Sequence, residues 1–205
     1  TSTTATDAYI GTSKFNETYN NSMYVGYMYG TSGSQVSNRA NTNNSTIKTA
    51  IDNWYASNMT SYTKYLSTTA VYCNDREVGS GTYSATGSTF YYAAFTRLST
   101  NKTPTYTCTN TDDKFTVDSS TGNGKLTHPI ALMTADEISY AGGIYGNYNA
   151  NAWYFRNAKE GTLTTSSSST DASYSSTGSQ WWWLLSPYNW LGSYAYVFLV
   201  GGSSY

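Results

Sequence analysis

The side chains best suited to catalysis in this chain are one histidine and a few scattered acidic residues. His128 precedes Pro129 at the start of an apolar run, where a lone histidine is more often structural than a general base. Asp136 and Glu137 follow Thr134 in a helix-capping pattern, which explains them better than acid–base work does. No motif of a serine hydrolase, zinc peptidase, phosphate-binding loop or dinucleotide-binding fold occurs. The sequence predicts no catalytic residue and no enzyme activity.

Two acidic regions remain as candidate sites for binding a charged ligand. Asp112, Asp113 and Asp118 could offer oxygen ligands to calcium, but their spacing is not that of an EF-hand loop, so a solvated turn is the preferred interpretation. The densest charge cluster, Asn74–Glu77, predicts a structural knot whose acidic and basic members satisfy the local backbone or each other. We therefore expect neither a metal nor a cofactor.

Aromatic and hydroxyl side chains give the chain its main capacity for binding. The sequence holds 22 Tyr and 6 Trp among 205 residues, and Tyr, Ser, Gly and Asn are typical of adaptable binding surfaces. Only 11% of residues are charged and the net charge is -1, so the chain cannot steer a phosphate backbone at long range. These proportions predict short-range contacts and no nucleic-acid partner.

The last quarter of the chain concentrates the aromatic residues. Residues 181–205 predict two aromatic strands, with turn chemistry at Ser186–Asn189 breaking the first run. Because strand side chains alternate between faces, Trp182 lies opposite its two Trp neighbours. We expect Trp182 or its neighbours to be buried and only the loop residues 188–194 to be displayed.

Helical patterns occupy the middle of the chain. An apolar stripe predicts a helix over 45–58, capped by one of residues 43–45, with an extension to Leu66 left open. A second pattern runs from Phe90 to Leu98, and a third, short helix follows the capping box at Thr134. Alternating tyrosines over 23–30 predict an early strand. The fold class that follows is α+β, with two to three helices and an aromatic antiparallel sheet.

The chain organisation predicts a single extracellular domain over 1–205, which includes an N-terminal segment at 1–22. Residues 160–180 are rich in Ser and Thr and predict a long loop. No apolar run approaches the roughly 20 residues that span a bilayer, and Thr1 opens the chain without a Met, as expected of a processed product or a fragment. Cys73 and Cys108 indicate one disulfide in an oxidising compartment, with two unpaired buried thiols as the alternative.

Four segments together resemble a family of surface proteins from gut bacteria. They are Ala40–Lys48, Cys73–Arg76, Pro129–Gly143 and Trp181–Pro187. The C-terminal domains of that family are related to the C-type lectin-like fold of formylglycine-generating enzymes and of the variable proteins of diversity-generating retroelements. Some members carry a type IV prepilin-like N-terminus. The resemblance covers roughly residues 23–200.

The resemblance implies a displayed or ligand-binding surface ectodomain in which the two cysteines are paired. It places the ligand-binding surface on the final sheet and its loop. The residues of this stretch that match the binding surface are Tyr188, Asn189, Trp190, Ser193, Tyr194 and Tyr196. The Glu-Pro-Asn and Trp-Asn-Asp tripeptides of calcium-dependent lectins are absent, which argues against a metal-mediated sugar site. The Gly-x-Arg-Pro ending that is common in such domains is also absent after Gly201, so the last strand is expected to be truncated or different.

Two functions are therefore open from the sequence. The first is an extracellular or cell-surface adhesion domain whose partner is a protein or a glycan. The second is a pilin-like structural subunit whose partners are copies of itself in a filament, because uncharged surfaces associate more readily.

Overall fold

The computed structural model describes residues 10–146 and 182–200, and there the protein combines short helices with antiparallel sheet. The strands are β1 (Met28–Tyr29), β2 (Asn43–Asn44), β3 (Tyr72–Cys73), β4 (Val78–Ser80), β5 (Phe90–Tyr92), β6 (Lys114–Phe115), β7 (Trp182–Trp190) and β8 (Ala195–Val200). The α-helices are α1 (Gln35–Asn38), α2 (Thr46–Asn58), α3 (Ala93–Phe95) and α4 (Ala135–Tyr140). Short 3-10 helices cover Ser22–Val25, Thr60–Tyr65 and Thr111–Asp113, and α3 continues as a π-helix over Thr96–Asn101. The class is α+β, as predicted.

The main sheet has the strand order β4-β5-β7-β8, and every neighbouring pair is antiparallel. Side chains alternate across it, so Leu185 joins the larger apolar core with Phe90 and Trp190, while Leu184 packs against α3 and α4 residues on the opposite face. Val197 and Phe198 divide between the two clusters in the same way. Both faces of the sheet are therefore covered by core side chains, and neither face of its centre is exposed to solvent.

The long helix α2 follows the predicted bounds. Ser45 has extended backbone angles, and its hydroxyl accepts a hydrogen bond from the amide of Lys48 at 3.2 Å, which satisfies one free N–H of the first turn. Ile47, Ile51 and Tyr55 form the buried stripe. The α-helix ends at Asn58, and the extension is a 3-10 helix over Thr60–Tyr65.

The short helix α4 forms through the predicted capping box. The hydroxyl of Thr134 accepts from the amide of Glu137 at 3.0 Å, and the Glu137 carboxylate accepts from the amide of Thr134 at 2.7 Å. Gly142 then takes φ +98°, a left-handed conformation that ends a helix and costs glycine little. The helix is thereby limited to Ala135–Tyr140.

Two predicted elements are partly wrong. Of the strand expected over 23–30, only Met28–Tyr29 forms, as β1, whereas Ser22–Val25 is a 3-10 helix that starts because the Asn21 side chain accepts from the Met23 amide. The helix expected from Phe90 begins only at Ala93. Phe90–Tyr92 is strand β5, where the first and third rings are fully buried, so sheet pairing outweighs the helical spacing.

The turn predicted at Ser186–Asn189 is also wrong, since β7 runs unbroken from Trp182 to Trp190. Its register against β8 shifts on either side of Pro187. A proline has no N–H to give to a ladder, and irregular positions accommodate it. Of the expected burials, Trp182 is exposed and Trp183 half-buried, and the buried neighbours are Leu184 and Leu185.

The predicted disulfide is confirmed. Cys73 at the end of β3 is bonded to Cys108, with the two Cα atoms 5.8 Å apart. The predicted loop over 160–180 lies outside the described residues, as do Trp181 and residues 1–9 of the N-terminal segment. Within residues 10–146 and 182–200, no helix combines the length and apolarity that crossing a bilayer needs.

Candidate ligand-contact site

The candidate site lies at the turn that joins β7 to β8. Trp190 pairs with Ala195, and the Leu191 amide donates to the Tyr194 carbonyl at 3.1 Å, which leaves Gly192 and Ser193 as the central residues. Gly192 takes φ +80°, as a tight hairpin turn requires. A Cβ at this position would also meet the Gly87 carbonyl at 2.9 Å, so glycine is needed for two reasons.

Three tyrosines meet beside this turn, and we call Tyr19, Tyr194 and Tyr196 the hairpin tyrosine cluster. The rings of Tyr19 and Tyr194 lie 5.2 Å apart, and those of Tyr194 and Tyr196 lie 6.4 Å apart. The amide of Ala195 donates to the Tyr19 carbonyl at 2.8 Å, which fixes the N-terminal segment against the edge of β8. Tyr19 remains 56% exposed and Tyr194 47%, so the rings are ordered and still open to solvent.

Two of the predicted contact residues are not displayed. Trp190 is 0% exposed, because β5 covers it through the pairing with Phe90 and its ring lies in the larger core. Asn189 is buried in the same strand, between Tyr91 of β5 and Tyr196 of β8. The expected exposure of these two residues is wrong, since β7 is a central strand at this point.

Tyr188 is neither fully buried nor fully exposed. Its half-buried ring packs edge-on against Phe95 at 4.9 Å and Phe198 at 5.0 Å, and its hydroxyl lies 2.6 Å from that of Tyr145. Burial, with the hydrogen bond to Tyr145, raises the pKa of the Tyr188 hydroxyl. This ring supports the second core cluster, whereas Ser193 is exposed beside Tyr194. The displayed members of the predicted site are Ser193, Tyr194 and the half-exposed Tyr196.

Charged residues form two largely buried ion-pair clusters, which we call struts because each links loops that are distant in sequence. Asp113 accepts from the Arg76 Nε at 2.6 Å and from the Arg76 amide at 3.0 Å. The Arg39 guanidinium lies 3.2 Å from Asp113 and 3.0 Å from Glu77. Asp113 and Arg76 are buried, so the solvated turn predicted for Asp113 is wrong.

A second strut centres on Arg97. Its guanidinium donates to both carboxylate oxygens of Asp136, at 3.0 and 2.7 Å, and its Nη2 also lies 2.6 Å from Asp75. Desolvation raises the pKa of Asp75, although Arg97 opposes the shift. Asp75 and Arg76 thus have partners distant in sequence and do not pair with each other. Asp136 supports this strut, and Glu137 supports the helix cap.

The remaining sequence candidates make structural contacts. His128 stacks on Tyr55 with ring centroids 4.5 Å apart, which is a packing contact. Asp118 accepts hydrogen bonds from the amides and hydroxyls of Ser120 and Thr121, so it caps its own turn while Asp113 is buried with the arginines. The structure does not bring the three aspartates together as a ligand set.

Sequence reasoning missed Tyr19, which lies 175 positions before Tyr194 in the chain. Its only local signal is its place among regularly spaced tyrosines, and nothing in that spacing names a partner in the last hairpin. The protein defined by these features is an α+β domain with one disulfide and an aromatic hairpin tip. Comparison with models of protein families, with curated proteins and with solved structures found no match.

Proposed function

We propose that this chain is a non-enzymatic, extracellular binding domain that contacts its ligand through the hairpin tyrosine cluster. The observation that carries the proposal is the ordered and exposed pair Tyr19 and Tyr194. Exposed aromatic rings are normally scattered singly, and a fixed pair next to an exposed serine, here Ser193, is typical of contact surfaces. The disulfide is compatible with an oxidising, extracellular location.

The C-type lectin-like scaffold is part of the same proposal and is supported by the sequence resemblance. That resemblance puts binding on the final sheet and its loop, and the exposed tyrosines lie at that loop. Flat rings stack on sugar faces or on apolar protein surface, while hydroxyls orient the partner. Because the backbone hydrogen bond between Ala195 and Tyr19 already orders the cluster, little ordering entropy remains to be lost on binding.

A glycan and protein array tests the proposal. The Tyr19→Ala/Tyr194→Ala variant should lose binding by about tenfold or more, which corresponds to about 1.4 kcal/mol of contact energy. Tyr65→Ala is the matched control, because Tyr65 is also exposed but lies on the 3-10 helix after α2. Trp190 is unsuitable for such a test because its loss would damage the core. Equal binding by the wild type and the double variant would reject the cluster as the site.

The second candidate function is a structural subunit of an extracellular filament, and one observation favours it. The 3-10 helix Thr60–Tyr65 has no buried residue, yet it is ordered and exposes Tyr62, Tyr65 and the following Leu66. An exposed group of large apolar side chains is a feature of association surfaces. Sedimentation at increasing concentration, and electron microscopy of protein isolated from its source, should show assembly that Tyr62→Ser/Tyr65→Ser reduces. A concentration-independent monomer would exclude this function for the domain.

A further inference from the structure

The loop before the disulfide is ordered without being part of a helix or strand. The Thr103 amide donates to the Arg97 carbonyl at 3.1 Å, and the Thr105 amide donates to Asp136 Oδ1 at 3.0 Å. The disulfide at Cys108 fixes the other end. We call Thr103–Cys108, together with Tyr140 of α4, the disulfide-supported ledge.

Two tyrosine rings lie on this ledge in a nearly parallel stack. The centroids of Tyr106 and Tyr140 are 4.2 Å apart, with an angle of 17° between the planes. The Tyr140 hydroxyl donates to the Pro104 carbonyl at 2.7 Å, which fixes that ring on the loop. Tyr106 nevertheless remains 69% exposed and Tyr140 50%, so Tyr106 cannot have both of its faces covered.

The size of this surface limits what it binds. A tyrosine side chain offers roughly 150–250 Å², so the exposed parts of the two rings amount to roughly 200–300 Å². A standard protein interface needs about 800 Å² from each partner. The ledge is therefore too small to dock a second copy of the chain, and it fits a ligand of one or two rings.

The charged residues near the ledge further restrict which ligands it can bind. Arg97 is bonded to both oxygens of Asp136 and also lies 2.6 Å from Asp75, and the side chains of these three residues are only 20%, 4% and 13% exposed, so their charges are not displayed beside the rings. The ammonium of Lys102, just before the ledge, lies 5.9 Å from the centre of the Tyr145 ring rather than over Tyr106. Thr103 and Thr107, which lie on either side of Tyr106 in the same loop, are exposed and offer hydroxyl groups. An aromatic face bordered by neutral hydroxyls suits a neutral ring that carries both C–H and O–H groups.

We propose that the disulfide-supported ledge is a second binding site, separate from the hairpin tyrosine cluster, that takes the pyranose ring of a neutral glycan. The apolar C–H face of the sugar stacks on Tyr106, and its hydroxyls bond to the threonine hydroxyls and the Tyr106 phenol. The ring stack, the Pro104 contact and the disulfide order this surface before the ligand arrives, which reduces the entropic cost of binding.

Saturation-transfer NMR on the intact oxidised chain, with the neutral sugars cellotetraose and fully N-acetylated chitotetraose as probes, tests the site. Irradiation of the aromatic protons should transfer saturation to the axial ring protons of at least one sugar, at dissociation constants of about 1 mM. Tyr106→Ala should weaken that binding about tenfold. Tyr106→Leu, which keeps an apolar contact with Tyr140 without a flat ring, should do the same if the alanine variant folds poorly. Tyr140→Phe should weaken it less, because the ring remains and only the bond to Pro104 is lost.

Tyr65→Ala and Tyr194→Ala serve as controls, since both residues are exposed tyrosines outside the ledge. Unchanged transfer in both controls, with loss in the Tyr106 variants, supports the ledge. Transfer lost only in Tyr194→Ala would overturn the ledge and support the hairpin tyrosine cluster. Absence of transfer to both sugars, or transfer to a proline-rich peptide probe but to neither sugar, would overturn the assignment to a neutral glycan.

Discussion

The buried carboxylate of Asp113 should be the charged group whose loss costs the most stability. Asparagine has the same shape, so Asp113→Asn removes the charge while the guanidiniums of Arg39 and Arg76 remain buried. Breaking a buried ion pair on one side costs about 3–5 kcal/mol, because the other charge is left uncompensated. A domain of this size has a free energy of unfolding of about 5–15 kcal/mol, so the variant should lose about a fifth of it or more.

Urea unfolding at neutral pH, followed by tryptophan fluorescence, measures this loss, and the melting temperature should fall by about 6–20 °C. Lys14→Met is the matched control, because Lys14 and Glu17 also form an ion pair at 3.0 Å but are 68% and 63% exposed. An exposed pair contributes less than about 1 kcal/mol. Adding Arg76→Met to Asp113→Asn should cost less than the sum of the single changes. If Asp113→Asn is no more harmful than Lys14→Met, the strut does not stabilise the fold.

Three further perturbations follow from the structure. Replacing Cys73 and Cys108 with serine opens a long loop and should cost about 4 kcal/mol in the chain-entropy account, measured by urea unfolding against wild type with and without reductant. Gly192→Ala should cost about 1–2 kcal/mol through its left-handed backbone alone, and more if Gly87 cannot move; an unchanged melting temperature would contradict the turn geometry. Hydrogen bonds from Ser120 and then Thr121 lower the pKa of Asp118 to about 2, below the value of about 3.9 in an unfolded chain. Its contribution to stability is therefore present above about pH 4 and is lost as the pH falls towards 2, a dependence that Asp118→Asn should lack.

Local signals in the sequence were sufficient for the elements that depend on neighbouring residues. Ser45 and Thr134 each have a side chain that caps a helix within three positions, and both helices begin where these residues predict. Cys73 and Cys108 were predicted as a pair from their number and the composition, and they are bonded. These features can be predicted without knowing which distant residues are in contact.

The features that the sequence did not predict correctly depend on contacts between distant parts of the chain. Phe90 becomes part of a strand because Trp190 pairs with it, and that same pairing buries Trp190, which the sequence had placed at the binding surface. The partner of Asp75 is Arg97 rather than the adjacent Arg76, since the direction of a side chain is set by the tertiary fold. Tyr19 enters the hairpin tyrosine cluster through a backbone hydrogen bond to Ala195, which no local pattern encodes.

The position of β7 in the main sheet has a consequence for the order in which the chain acquires its structure. Phe90 of β5 and Trp190 of β7 are adjacent in space but 100 positions apart in sequence. The chain loses conformational entropy when it closes such a long loop, and it does so before the stabilising contacts have formed. This pairing is therefore expected to be slow. During synthesis, the buried faces of Phe90 and Tyr92 lack their partner strand until residues 182–190 have left the ribosome. The aromatic core therefore completes only once residues 182–190 have emerged, and a chaperone that shields β5 would find its substrate in the interval before that.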